Sequence, residues 1–237
     1  MTQIRKTIVI TGASRGIGAA LVNAYAAKGD EVIAVARSLP KTSWPNVKPL
    51  AADLATDAGI ARLAEVVEAR GQDIDILINN AGIQTEINLT GSVDPSLIDA
   101  EIALNLASPI KLTLALIPFL HTRGSTVVNV TSLVALHPKP SAPVYSATKA
   151  GLASFTRALR HQMSGKGIRV VEAIPPLVAT DMTAGRGRGK LTPEAMAAAI
   201  VAGVARGATQ VAPGKSKLVT RLNCLLPGLV AYILAKE

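Results

Sequence analysis

Tyr145 and Lys149 stand one helical turn apart in the segment YSATK. The residues that follow, AGLASFTRAL, keep helical spacing, which puts the phenol and the ammonium on one face. A free tyrosine ionises near about 10 and a free lysine near about 10.4. A fixed positive charge beside a phenol favours the phenolate. The pair is therefore expected to lower the Tyr145 pKa and make it a proton donor and acceptor near neutral pH. Tyr-x-x-x-Lys is also an ordinary helix face, so its surroundings must decide.

A second group of residues suits a phosphate. In TIVITGASRGIG, Gly12, Gly16 and Gly18 fall between an apolar strand and the start of a helix. They allow a sharp turn and a close backbone approach to a pyrophosphate at the helix N-terminus. The spacing is T-G-x-x-x-G-x-G, where the usual fingerprint is G-x-G-x-x-G. At the end of the second strand, NAD binders carry a carboxylate for the ribose 2′-hydroxyl. This chain reads AVARS there, with Ala36 and Arg37, and Arg15 lies inside the glycine loop. Two guanidinium groups suit a 2′-phosphate, so NADP(H) is the expected cofactor, with NAD(H) left open.

The elements that position these residues alternate. Apolar, β-branched runs at 6–11, 31–36, 46–53, 74–79, 124–132, 167–176 and 209–213 read as strands. Helical patterns fall at 16–29, 55–71, 94–120, 143–163 and from Thr192 to about Gly207, with a break expected near Ser108-Pro109. Thr192-Pro193-Glu194 has the form of an N-cap, a first-turn proline and a first-turn acid. Strands apolar on both faces and alternating with helices imply an α/β fold with a parallel sheet covered on both sides.

The 237 residues suit one domain, 1–237, with 49% hydrophobic and only 3% aromatic residues, so small aliphatic side chains must build the core. One cysteine, Cys224, excludes an intrachain disulfide and points to a reducing, cytoplasmic compartment. The Met1 end runs almost directly into a strand, so no signal peptide is expected. No apolar run is read as reaching the roughly 20 residues that span a bilayer. The net charge of +9 is concentrated late: from Gly185 onward there are eight Lys/Arg against two acidic residues. Without interleaved aromatics or a recognition motif this does not read as a nucleic-acid surface, and no metal ion is assigned.

With TGASRGIG (11–18), ADL (52–54), NNAG (79–82), Asn105, Ser132 and YSATK (145–149) in this order, the chain resembles the short-chain dehydrogenase/reductase family in its classical branch. The resemblance implies a Rossmann-type, doubly wound parallel sheet of about seven strands with helices on both faces, and a nicotinamide cofactor. It implies a catalytic set of Asn105, Ser132, Tyr145 and Lys149. Lys149 would bind the nicotinamide ribose, Ser132 the substrate oxygen, and Asn105 a water linking Lys149 to solvent. It implies a cofactor path along Gly12, Ser14, Arg15, Gly16, Ile17, Gly18, Arg37, Asp53, Leu54, Asn79, Ala81, Gly82, Tyr145, Lys149, Pro175 and Thr180. Asp53 and Leu54 would lie near the adenine, and Thr180 near the nicotinamide carboxamide. A narrower likeness, to DltE-type oxidoreductases within the family, covers LINNAGIQ, the 143–163 helix and PPLVATDMT. Pro176 departs from the family's usual Pro-Gly and leaves the local contacts open.

The expected activity is therefore oxidoreduction of a small carbonyl or alcohol compound. The competing reading is a dinucleotide-binding regulatory or scaffold protein of the same fold. A substrate lid is expected over about 183–207, with its glycine-rich start, TAGRGRGKLTPE, mobile until cofactor and substrate bind. The basic and apolar tail, about 215–237, reads as a buried contact in preference to a lipid surface. The apolar helices at 99–120 and 144–163 point to a homodimer or homotetramer, with no nucleic acid and no membrane as partner.

Overall fold

The computed structural model describes residues 5–38, 42–120, 124–225 and 228. The strands are β1 (Thr7–Thr11), β2 (Glu31–Ala36), β3 (Val47–Ala51), β4 (Ile76–Asn79), β5 (Thr126–Val130), β6 (Arg169–Ala173) and β7 (Gln210–Val211). They form one seven-stranded sheet in the order β3-β2-β1-β4-β5-β6-β7. Every pairing is parallel. The order reverses between β1 and β4, and that crevice at the carboxyl ends of the strands is where such sheets bind ligands.

The helices are α1 (Gly16–Ala26), α2 (Asp57–Glu68), α3 (Pro95–Ile102), α4 (Ser108–Leu116), α5 (Pro143–Gln162), α6 (Pro193–Ala205) and α7 (Lys215–Leu225). Alternating strand residues feed two cores. Ile8 and Ile10 join Leu21 of α1 and Met196 and Ile200 of α6 on one face. Val9 joins Leu63 of α2, Leu112 and Leu116 of α4 and Leu159 of α5 on the other. Burying one such side chain stabilises by about 1.5–3 kcal/mol, so both faces commit the strands to the interior.

The expected break at Ser108-Pro109 takes another form. Between α3 and α4 the chain passes through a π-helical turn, Ala103–Ala107, and the Ser108 N–H donates to the Ala103 carbonyl five residues back. Pro109 has no N–H and its ring crowds the carbonyl four residues before it, which is that of Asn105. The wide turn accommodates the proline without ending the helix. The continuous helical run Pro95–Phe119 is also long and apolar enough, by length and composition, to cross a membrane, which corrects the expectation of no such run. Its inner residues Leu112 and Leu116 are buried against the sheet.

Within 183–207, expected as a lid, helix α6 belongs to the core, with Met196 and Ile200 fully buried. Thr192 caps α6 by accepting from the Ala195 N–H, as its sequence suggested. The ends of the segment before α6 are tied together: the Ala179 N–H donates to the Leu191 carbonyl and the Leu191 N–H to the Leu177 carbonyl. In the tail, α7 packs beside the segment after β5, where the His137 ring and Asn223 Oδ1 lie 2.6 Å apart. Apart from residue 228, the rest of the tail lies outside the described residues.

Candidate active site and cofactor cradle

Ser132 lies just beyond β5, close enough to the Tyr145 side chain to lower its pKa. Lys149, one turn along α5, is buried and its Nζ donates to the Val130 carbonyl at 2.9 Å. Asn105 lies in the π turn and is buried. A Cβ placed on Gly82 would lie 3.0 Å from Asn105 Oδ1 and 3.7 Å from Lys149 Nζ, so the loop after β4 closes against both. The four residues predicted to act together therefore meet at the carboxyl ends of β4 and β5.

Two expectations change. Tyr145 is not acidified in this state. Burial pushes its pKa up to about 12, partly offset by the Ser132 hydrogen bond, while Glu101 adds to the rise and Arg186 opposes it. Lys149 responds to the same environment in the opposite sense, and burial lowers it to about 8. Desolvation of both groups outweighs their proximity. Asn105, expected to hold a water, spends its side chain on the chain itself. Its Oδ1 accepts from the Ile83 N–H at 2.9 Å and its Nδ2 donates to the Ile83 carbonyl at 2.8 Å. Nδ2 also donates to Thr148 Oγ1 at 3.3 Å, tying the β4 loop to α5.

The glycine loop expected to hold a cofactor lies at this crevice. Gly12 and Gly16 have φ of +67° and +57°, and a Cβ on Gly18 would lie 2.1 Å from the Gly12 carbonyl oxygen. Helix α1 begins at Arg15, with no side-chain cap and no acid in its first turn. The starts of α2, α3 and α6 are capped by Thr56, Asp94 and Thr192. Ser14, Arg15 and Ile17 thus border uncapped N–H groups, a fit for a pyrophosphate. Thr180 faces this loop, its Cγ2 3.0 Å from where a Gly16 Cβ would lie. Pro175 is buried just before it and Pro176 is half-buried. Arg15 is exposed and pairs with Asp181 at 3.2 Å, while Arg37 is exposed beyond the buried Ala36.

Three of the carried-over residues make contacts within the protein. Leu54 is a core residue packed with Leu50 and Leu63, so only its backbone could meet an adenine. Asp53 is exposed and Oδ1 accepts from the Ala55 N–H. Asn79 is buried and donates to Asn129 Oδ1 at 2.8 Å and to Thr113 Oγ1 at 3.3 Å, an interior support below the crevice. Ala81 lies against the glycine loop, its Cα 2.8 Å from a Gly12 Cβ position.

Sequence reasoning missed Asn80, whose Nδ2 donates to the Thr11 carbonyl at 2.9 Å and holds the glycine loop. It also missed Glu101, fully buried, whose Oε1 accepts from the Thr85 N–H while Oε2 has no partner. Glu101 lies four residues before Asn105, and that helical spacing was the available signal. Arg186, from the lid, donates to Gln84 Oε1 at 3.1 Å and to the Met182 carbonyl.

Comparison with known proteins agrees with this fold. Residues 6–190 match the family model for short chain dehydrogenases. The uncharacterized oxidoreductase DltE of Bacillus subtilis is 35% identical over 189 residues, covering 77% of this chain and 75% of that protein. A short chain dehydrogenase from Burkholderia cenocepacia, solved in complex with NADP, superposes with a TM-score of 0.88 at 27% identity, over 98% of this chain and 99% of that one. A short-chain dehydrogenase from Sphingobium yanoikuyae in complex with NADPH has a TM-score of 0.78 at 26% identity, over 95% of both chains.

Proposed function

Because this chain belongs to the short-chain dehydrogenase family and is thereby an NAD(P)-dependent dehydrogenase or reductase, we propose that it moves a hydride between NADP(H) and a carbonyl or alcohol substrate, with Tyr145 as general acid and base. The observation that carries this reading is the meeting of Ser132, Tyr145, Lys149 and Asn105 across the crevice from the uncapped start of α1.

When bound, the cofactor supplies or accepts the hydride. Ser132 donates a hydrogen bond to the substrate oxygen and steadies the negative charge that develops there. In the reducing direction Tyr145 gives that oxygen its proton, and a phenol whose pKa burial has pushed up to about 12 is fully protonated at neutral pH. Lys149 binds the ribose hydroxyls, and with a pKa near 8 it can return a proton toward Tyr145. With the Asn105 side chain committed to Ile83, any water relay there falls to its main-chain carbonyl.

NADP(H) is the preferred cofactor of this reading. Ala36 puts no carboxylate at the end of β2, and Arg15 and Arg37 are exposed on either side. The relatives from B. cenocepacia and S. yanoikuyae carry NADP and NADPH. On this reading the protein works in the cytoplasm as a homodimer or homotetramer. An apolar hollow between α3 and α5, lined by Ile98, Ile102, Leu106, Val144 and Ala147, supports pairing through these helices.

The test is Tyr145→Phe, assayed for NADPH oxidation with a panel of aldehydes, ketones and quinones. Turnover should fall by about 100-fold or more with NADPH affinity nearly unchanged. A variant that keeps the wild-type rate on a true substrate removes the assignment.

A further inference from the structure

We propose that Arg186 is the specificity-determining residue of this site, and that the substrates are oxo acids or hydroxy acids with an apolar body, their carboxylate held by the Arg186 guanidinium. This rests on the hydride-transfer reading and names the substrate class for it.

Three cations alternate with glycines in GRGRGK, and the fold separates them. Arg188 is exposed, whereas Arg186 is half-buried and turned toward the loop after β4. It ends beside Gln84, which is adjacent to Thr85, the residue that holds Glu101. The lowering effect of its charge on the Tyr145 phenol agrees with this placement.

Arg186 has no acidic partner among the described residues. Its contacts are neutral oxygens, Gln84 Oε1 and the Met182 carbonyl. Of the other cations near the site, Arg15 pairs with Asp181, and Lys149 is reserved for the ribose hydroxyls in the reading above. A half-buried guanidinium without a counter-ion is suited to a carboxylate, which it can meet with two parallel N–H donors. Gln84 accepts from Arg186 and keeps its amide N–H groups to donate to the same carboxylate.

The position of the cation is built, not incidental. The lid is closed on itself at Leu177, Ala179 and Leu191. Gly187, next to Arg186, has φ of +60°, and a Cβ there would lie 2.4 Å from Leu177 Cδ2. That contact leaves the lid pressed onto the segment that follows β6. Leu177 and Met182 are exposed apolar side chains at its edge and suit the body of such a substrate. The excess of cations from Gly185 onward adds long-range attraction for an anion.

The test uses the full chain saturated with NADP+ and a matched series of 2-, 3- and 4-oxo acids with a phenyl-terminated chain, each beside its methyl ester. Binding is measured by calorimetry and turnover with NADPH in parallel. At least one acid should bind ten-fold or more tighter than its ester, and Arg186→Gln should bring the two within about two-fold while ester affinity stays constant. Arg186→Lys should retain part of the preference, and added salt should weaken it. The assignment is overturned if no acid outbinds its ester, if the preference survives in Arg186→Gln, or if that variant weakens acid and ester alike. An acid preference that depends on Arg186 without any turnover supports this assignment and removes the hydride-transfer reading instead.

Discussion

The Lys149 ammonium lies 5.7 Å from the centroid of the Tyr145 ring, and it hydrogen-bonds the Val130 carbonyl at 2.9 Å. A buried cation held by one carbonyl is a strained charge, and its pKa falls to about 8 from the usual lysine value. Its folded pKa lies below the unfolded one, so the unfolded chain binds more protons between about 8 and 10.4. Stability should therefore rise with pH across that window and stay lowered below it. Lys149→Met should remove this rise and be inactive. Denaturant melts of both proteins at pH 7 and pH 10 check it. Parallel pH dependence in the two would refute the prediction.

Glu101 gives the opposite slope. Burial raises the pKa of its carboxyl, against the Thr85 hydrogen bonds that lower it. The folded chain then holds a proton that the unfolded chain has lost above about 4.3. Stability falls as pH rises through the folded pKa. Glu101→Gln keeps the volume and the acceptor for Thr85. It should match wild type in mild acid and melt at a higher temperature at pH 8, read by calorimetry.

On the proposed reading, NADPH binding requires Arg15 to leave Asp181. That pair is exposed on both sides, so it contributes roughly 0–1 kcal/mol and is easily exchanged. Asp181→Ala should tighten NADPH binding by up to about five-fold and leave NADH unchanged. Arg15→Ala should weaken NADPH alone. Ala36→Asp with Arg37→Ile should favour NADH, since the new carboxylate accepts the 2′-hydroxyl and repels a phosphate. Dissociation constants for both cofactors decide it.

Gly18→Ala should be severe. Its Cβ would lie 2.1 Å from the Gly12 carbonyl oxygen, and backbone cannot yield as a side-chain tip does. A cost of about 1–3 kcal/mol is expected, together with loss of NADPH binding. Gly29→Ala meets no atom within 4 Å and has only its φ of +83° against it, a cost of about 1–2 kcal/mol with binding intact. Melting and NADPH titration of the two variants separate the effects.

The proposed pairing face offers a simpler check. Ile102 is exposed on α3 beside the hollow that Leu106 and Ala147 line. Ile102→Arg should shift sedimentation toward the monomer without unfolding the chain.

The strands were legible because a parallel sheet buried on both faces writes unbroken apolar runs, as in TIVIT and EVIAVA. Tyr145 and Lys149 were legible as a pair because helical spacing alone puts them together. Their ionisation was not, since it follows from enclosure by distant segments, and nothing within YSATK reports that. The π turn at Ala103–Ala107 was visible only as a proline that ought to interrupt a helix. GRGRGK could not show which arginine turns inward, because that choice is made by Gln84, about a hundred residues earlier in the chain.

The tie between Leu177, Ala179 and Leu191 closes 181–190 into a loop whose entrance and exit are fixed to each other. Such a segment can lengthen, shorten or change composition without moving β6 before it or α6 after it. If Arg186 selects the substrate as proposed, variation there would retune what the protein accepts while Ser132, Tyr145 and Lys149 keep their places. The loop is thus an exchangeable cassette, and transplanting 181–190 between relatives is the direct engineering route to new substrates.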